Sequence, residues 1–253
     1  MPPVFATDQS QLAERLQAAS QVLGLALSAQ QAERLLAYVE LIKKWNKTYN
    51  ITAIKDPRDI LIQHIIDSLT VVKPLQELVQ QDLKAYSNPA LSEAAQVSTQ
   101  DVSVQPLSVL DVGSGGGLPG VVLAIMNPTW HVTCIDAVHK KTAFITMVAG
   151  LLKLKNLNAV HTRIQDYPAH CADIVISRAF ASLRDFVDWS GHCLKNKGMM
   201  VAMKAQYHES EMQALAHTSW QVHKYLELQV PEMQAQRSLI YLQAKKQATP
   251  QTH

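Results

Sequence analysis

Residues 109–120 read "VLDVGSGGGLPG", and this stretch decides the fold. Apolar residues run up to Asp111, glycines crowd the positions after it, and an apolar run resumes at Val121. A strand, a tight turn and a helix account for that order, because glycine lacks the Cβ that a tight turn would strain. Two patterns overlap in the turn. Gly115-Gly-Gly117-Leu-Pro-Gly120 has the spacing of a dinucleotide fingerprint. Asp111-Val-Gly113-Ser-Gly115-Gly-Gly117 puts an acid at the strand end, ahead of the glycines. Spacing alone is weak, so the flanking sequence has to separate the two readings.

Downstream, short apolar runs alternate with amphipathic stretches. "HVTCIDA", "NAVHTRIQDY", "ADIVISRAF" and "GMMVAMK" contain strands; "GLPGVVLAIMNP", "HKKTAFITMVAGLLKL" and "LRDFVDWSGHCLK" read as helices. Alternation of buried strands with helices predicts a doubly wound, mostly parallel α/β sheet over residues 107–246. "VHKYLELQV" and "RSLIYLQAK" follow each other too closely for a crossover helix, which predicts an antiparallel pair at the edge.

Upstream, residues 1–75 predict a helical N-terminal extension. Leu12, Leu16, Ala19 and Leu23 form one stripe that Gly24 ends. Ser28-Ala-Gln-Gln31 fits a capping box. Leu35, Tyr38, Ile42, Trp45 and Tyr49 form the next stripe, which makes Trp45 and Tyr49 core residues rather than base-stacking ones. Asp56-Pro57 supplies an N-cap and a first-turn proline for a third helix over "RDILIQHIIDSLTVVKPL". Residues 76–106 are rich in Gln, Ser and Ala and read as a short helical continuation and then a long surface loop. Residues 247–253 read as a tail.

The 253 residues are 47% hydrophobic and 17% charged, enough for one α/β domain with an appendage. No apolar run reaches the roughly 18 residues of a membrane span, and the start has no secretory pattern. Three cysteines without a Cys-x-x-Cys argue against a disulfide framework or a metal site and for a reducing cytoplasm. The net charge is only +2, but residues 137–165 hold Lys140, Lys141, Lys153, Lys155 and Arg163 and no acid. A solvated face or a polyanion partner accounts for such a cluster.

Ligands of such sheets bind beyond the carboxyl ends of the strands, at the first strand–helix turn. A carboxylate at Asp111 would repel a pyrophosphate and suits a cationic ligand such as S-adenosylmethionine. Asp136 ends the second strand, placed to accept from ribose hydroxyls or to cap the next helix. The fourth strand ends "ISRAF" rather than in the Asn/Asp-Pro-Pro-aromatic of exocyclic-amine methylation, and no cysteine sits where a cytosine-C5 nucleophile is needed. That leaves an acceptor with its own lone pair, such as guanine N7. Catalysis then reduces to proximity and orientation, with no catalytic side chain singled out.

"YVELIKKWNKTYNITAIKDP", "LIQHIIDSL", "LDVGSGGGLPG", "TRIQDYP" and "ISRAFASL" together resemble the GidB (RsmG) family of bacterial 16S rRNA guanine-N7 methyltransferases, from about Leu35 to Ile240. The resemblance implies a Rossmann-like class I S-adenosylmethionine-dependent methyltransferase with a helical N-terminal extension. Its partner would be 16S rRNA or the small ribosomal subunit, in the cytoplasm and as a monomer, with no metal and no membrane. Carried over by position, Gly113, Leu118, Ile164, Gln165 and Arg178 become cofactor contacts, joined by Asp111, Gly115 and Asp136. Arg178 has a second reading as an ion-pair partner at a strand end. Lys43, Lys44, Lys47 and Lys204 are the candidates for contacting RNA. His64, Asp67 and Ser68 share a helix face and either cover the cofactor pocket or brace the helix. Two other readings stay open: a non-catalytic rRNA-binding assembly factor and an NAD-dependent oxidoreductase.

Overall fold

The computed structural model describes residues 4–83, 106–180, 182–205 and 209–245. Residues 84–105 of the predicted 76–106 segment and the predicted tail lie outside these residues. Seven strands form one sheet: β1 (Ser108–Val112), β2 (His131–Asp136), β3 (Leu157–His161), β4 (Ala172–Ser177), β5 (Leu194–Lys204), β6 (Trp220–Gln229) and β7 (Gln236–Ala244). Their order is β3-β2-β1-β4-β5-β7-β6. β1 to β5 pair in parallel, and β7 runs antiparallel between β5 and β6. The two late strands are therefore an antiparallel pair as expected, but only β6 lies at the edge.

Side chains alternate between the two faces of the strands. Val109, Val132, Ile174, Val201 and Tyr241 enter one core, while Leu110, Ile135, Val175, Met200 and Ile240 enter the other. The first core holds α6 (Gly120–Met126), α7 (His139–Leu151) and the N-terminal helices α1 (Val4–Val22) and α2 (Ala29–Tyr49). The second is covered by α8 (Leu183–Ser190). α9 (Glu209–Ala216), with its buried Leu215, packs beside α8. The helix predicted over "LRDFVDWSGHCLK" thus stops at Ser190, because Cys193 and Leu194 are needed to bring the chain into β5.

The N-terminal helices begin where their caps predict. The Ser28 hydroxyl accepts from the Gln31 N–H, and the Gln31 side chain accepts from the Ser28 N–H. The same Gln31 amide donates to the carbonyl of Met126, so the cap also fastens α2 to the end of α6. Asp56 caps α3 (Pro57–Ile60) by accepting from Arg58 and Asp59 N–H groups. The helix then widens into a π-helical segment, Leu61–Ile66, before α4 (Asp67–Leu69). The widened turn keeps Leu61, Ile62, Ile65 and Ile66 buried while turning His64 toward the glycine loop and Asp67 inward. Such segments recur at functional sites. α5 (Val72–Leu78) and a further wide turn carry the chain to Leu83, so the helical continuation expected here is present.

Candidate active site

The glycine turn after β1 is held from three sides. Beneath it, Asp111 is 0% exposed and accepts from the Gly120 N–H at 2.8 Å. Behind it, Tyr38 of α2, also fully buried, donates to the Gly116 carbonyl. In front, Asp136 accepts from the Gly115 N–H at 2.9 Å. Gly117 needs to be glycine: its φ is +94°, and a Cβ would lie 2.5 Å from Val121 Cγ2 and 3.1 Å from the Tyr38 hydroxyl.

Two cavities meet at Gly113 and Ala179. The larger, about 580 Å³, is lined by Asp136 and Ala137 after β2, Thr162 to Gln165 after β3, and Phe180, Asp185 and Trp189 beyond β4. The smaller, about 240 Å³, is lined by Gly113 to Gly116, Leu118, Arg178, and Thr52 and His64 of the N-terminal extension. Both open at the carboxyl ends of the strands, where a doubly wound sheet binds its ligand. The combined space is that of a small-molecule site. An adenosine fits the larger compartment chemically. Ile164, Phe180 and Trp189 offer apolar faces, and the two oxygens of Asp136 each take one N–H, from Gly115 and from Val138, leaving lone pairs for ribose hydroxyls.

Asp111 does not line either cavity, so the expectation that its carboxylate faces a cationic ligand is corrected. Burial raises its carboxyl to about 7, outweighing the Gly120 hydrogen bond, and Oδ1 has no hydrogen-bond partner among the described residues. The folded state therefore keeps a proton that the unfolded chain has already released between pH 4 and 7. Stability attributable to Asp111 falls as pH rises through that window. Asp111→Asn keeps an acceptor for Gly120 and removes the titration. The unfolding free energy of the parent should lose on the order of 3 kcal/mol relative to the variant between pH 4 and 8. Urea unfolding of both proteins at several pH values checks this; parallel pH curves would contradict it.

Arg178 serves as the ion-pair partner that one of its two readings foresaw. Its Nη1 lies 3.0 Å from Asp67 Oδ2, at the end of β4, while the side chain also lines the smaller cavity. Asp67 is only 2% exposed and takes a second guanidinium on its other oxygen, from Arg237 Nε at 3.0 Å. "HIIDSL" and "ISRAFASL" thus converge on one buried carboxylate. His64 lies beside them, its ring 2.7 Å from the Thr52 hydroxyl, and burial holds its pKa down to about 4, so it is neutral at physiological pH. Asn46 orders the segment that carries Thr52, donating to the Ile54 carbonyl and accepting from the Thr52 N–H.

The lysines divide. Lys44 and Lys47 are exposed on α2, and Lys43 beside them faces Glu40 at 3.6 Å. Lys204 is 13% exposed, 2.8 Å from Glu211 of α9, and donates to the Phe180 carbonyl. Lys204, one of the candidates for contacting RNA, therefore braces the loop after β4. Trp45 stacks on Tyr49, meets Phe144 at a tilt and is half-buried against the core, whereas Tyr49, expected in the core, is 42% exposed at the solvent end of the stripe, which corrects that expectation. Tyr38 was read only as part of an apolar stripe, Thr52 and Phe180 lay inside quoted segments without a role, and Trp189 and Arg237 were not singled out by the sequence.

Residues 31–83 and 90–240 match the family described as GidB, rRNA small subunit methyltransferase G. The chain belongs to the GidB family. It is 48% identical over 231 residues to the ribosomal RNA small subunit methyltransferase G of Bordetella avium, covering 91% of this chain and 92% of that one. The corresponding protein of Acidovorax sp. is 41% identical, covering 90% and 93%. That of Leptothrix cholodnii is 38% identical, covering 93% and 97%. Membership of GidB makes this chain an S-adenosylmethionine-dependent methyltransferase. Among the described residues no helix is long and apolar enough to cross a membrane, and no cluster of three metal-ligating side chains occurs.

Proposed function

We propose that this protein transfers a methyl group from S-adenosylmethionine to N7 of a guanine in 16S rRNA, acting on that rRNA or on the small subunit in the cytoplasm. The observation that carries the reading is the pair of abutting compartments built from the family's own motifs. The larger takes the adenosine, with Asp136 on the ribose and Ile164 and Gln165 along the adenine. The smaller takes the methionine end, against Gly113, Gly115 and Leu118, with Arg178 supplying positive charge. When bound, S-adenosylmethionine supplies an electrophilic methyl group on its sulfonium. The protein's part is to hold the acceptor nitrogen in line with it and to exclude water. Guanine N7 carries a free lone pair, so the chain needs no general base there, in keeping with a neutral His64 at the inner compartment. The guanine must be unpaired or extruded, because side chains cannot read the deep major groove of A-form RNA.

Thermal unfolding with added ligand tests the cofactor assignment. S-adenosylhomocysteine at 100 times its dissociation constant should stabilise the protein by about 2.7 kcal/mol, and NAD should leave the midpoint unchanged. A shift with NAD and none with S-adenosylhomocysteine would restore the dinucleotide reading of the glycine turn.

A further inference from the structure

At the outer edge of the larger compartment, the ends of β2 and β3 and the start of α7 meet. His139, Lys140, His161 and Arg163 are all exposed there. The rings of His139 and His161 pack edge to face with centroids 5.3 Å apart, and the His161 ring nitrogen Nε2 donates to the Ala137 carbonyl at 3.1 Å. These contacts tie the end of β3 to the start of α7 and so bring the four residues onto one stretch of surface. Ala137, Thr162 and Arg163 line the compartment itself, which makes this group a continuation of its rim.

Charge sets the rim apart. No acid occurs between Ala137 and Gln165. Lys141 turns inward to Asp136 at 3.8 Å, whereas Lys140 and Arg163 enter no ion pair among the described residues. The first turn of α7 holds His139, Lys140 and Lys141 and no acid, and its N-cap, Val138, has no side-chain acceptor. A helix dipole opposes cations at that end and favours acids. Helix stability therefore gives no reason for His139 and Lys140, and an anionic partner does.

We propose that the rim of His139, Lys140, His161 and Arg163 is a docking surface for the sugar–phosphate backbone of the substrate RNA, flanking the nucleotide presented to the cleft. The inference rests on the rRNA-methylation reading above. Phosphate contacts of this kind position a substrate without reading its sequence. They leave a mark in the salt dependence, about 0.7 in the logarithmic slope for each single-strand phosphate contact.

The test compares two variants with the same change in formal charge, His139→Glu/Lys140→Glu at the rim and Lys153→Gln/Lys155→Glu just beyond the C-terminal end of α7. Acids in the first turn of α7 suit its dipole, so the rim variant should keep its unfolding midpoint. Its affinity for S-adenosylhomocysteine should stay within about twofold of the parent, a difference worth about 0.4 kcal/mol. With small subunits lacking the methyl group, KM should rise about tenfold or more and the salt slope should become shallower by about one contact. The distal variant should stay near the parent. An unchanged KM for the rim variant, or an equal rise for the distal one, overturns the proposal. Filter binding to the same RNA keeps the two readings apart. Should the parent protein methylate nothing, the function is wrong, and equal RNA binding by parent and rim variant then overturns the rim as well.

Discussion

Asp67→Ala is expected to destabilise the protein by about 3 kcal/mol and to weaken S-adenosylhomocysteine binding about tenfold. Asp67 is almost fully buried and holds two guanidiniums, Arg178 and Arg237, one on each carboxylate oxygen. Removing one member of a buried ion pair costs about 3–5 kcal/mol because the other is left uncompensated. The low end applies here, since both arginines are roughly a quarter exposed and regain some solvation. The effect on the ligand follows from position. Without Asp67, Arg178 keeps a 3.4 Å contact to the Gln63 carbonyl and no longer holds one orientation over the inner compartment. The three residues share partners, so their effects should not add. In a cycle of Asp67→Ala and Arg237→Ala, the double variant should be more stable than the sum of the two losses. Guanidinium unfolding and titration calorimetry measure both quantities. A loss under about 1 kcal/mol with unchanged ligand affinity would mean that the cluster is no more than a surface pair.

The glycine turn yields the second large effect, as a contrast between two neighbours. Gly117→Ala places a methyl 2.5 Å from Val121 Cγ2 at a φ of +94°, so the turn or α6 has to shift. Strain and overpacking together should cost about 2–4 kcal/mol. Tyr38 would lose its hold on the Gly116 carbonyl, and ligand binding would fall with stability. Gly115→Ala differs. Its φ is +59° and a Cβ there meets nothing within 4 Å, so only the left-handed backbone cost of about 1 kcal/mol applies. Yet Gly115 lines the inner compartment, and the added methyl would occupy space that the ligand needs. The expected result is a near-normal unfolding midpoint with ligand affinity down about tenfold or more, about 1.4 kcal/mol for each tenfold step. Full affinity in Gly115→Ala would place the ligand elsewhere.

Much of this was legible in the chain itself, and the exceptions share a physical cause. The caps at Ser28 and Asp56, the strand–helix alternation from Leu107 and the antiparallel late strands are local signals, and the structure has all of them. The π-helical turn at Leu61–Ile66 was not legible, because an apolar run such as "LIQHII" has no period that separates a wide turn from an ordinary one. Arg237 was missed because it meets Asp67 across 170 residues of sequence. Only the assembled sheet, with β7 inserted beside β5, brings the two together. Asp111 was misjudged for a related reason. Its place at a strand end was readable, but whether the carboxylate turns up to the ligand or down to the Gly120 N–H depends on how α6 packs. Lys204 was read only as a candidate for contacting RNA, because its pairing with Glu211 depends on where α9 packs.

Methyl transfer to a ring nitrogen of guanine in small-subunit rRNA can be read directly. Its most direct measurement incubates the protein and S-adenosylmethionine with small subunits from cells that lack the modification. The rRNA is then treated with borohydride and aniline, which cleave at N7-methylguanosine, and read by primer extension. One new stop in 16S rRNA, requiring both protein and cofactor, is the expected result. Methyl incorporation without any such stop, or no incorporation by protein that binds S-adenosylhomocysteine, would contradict it.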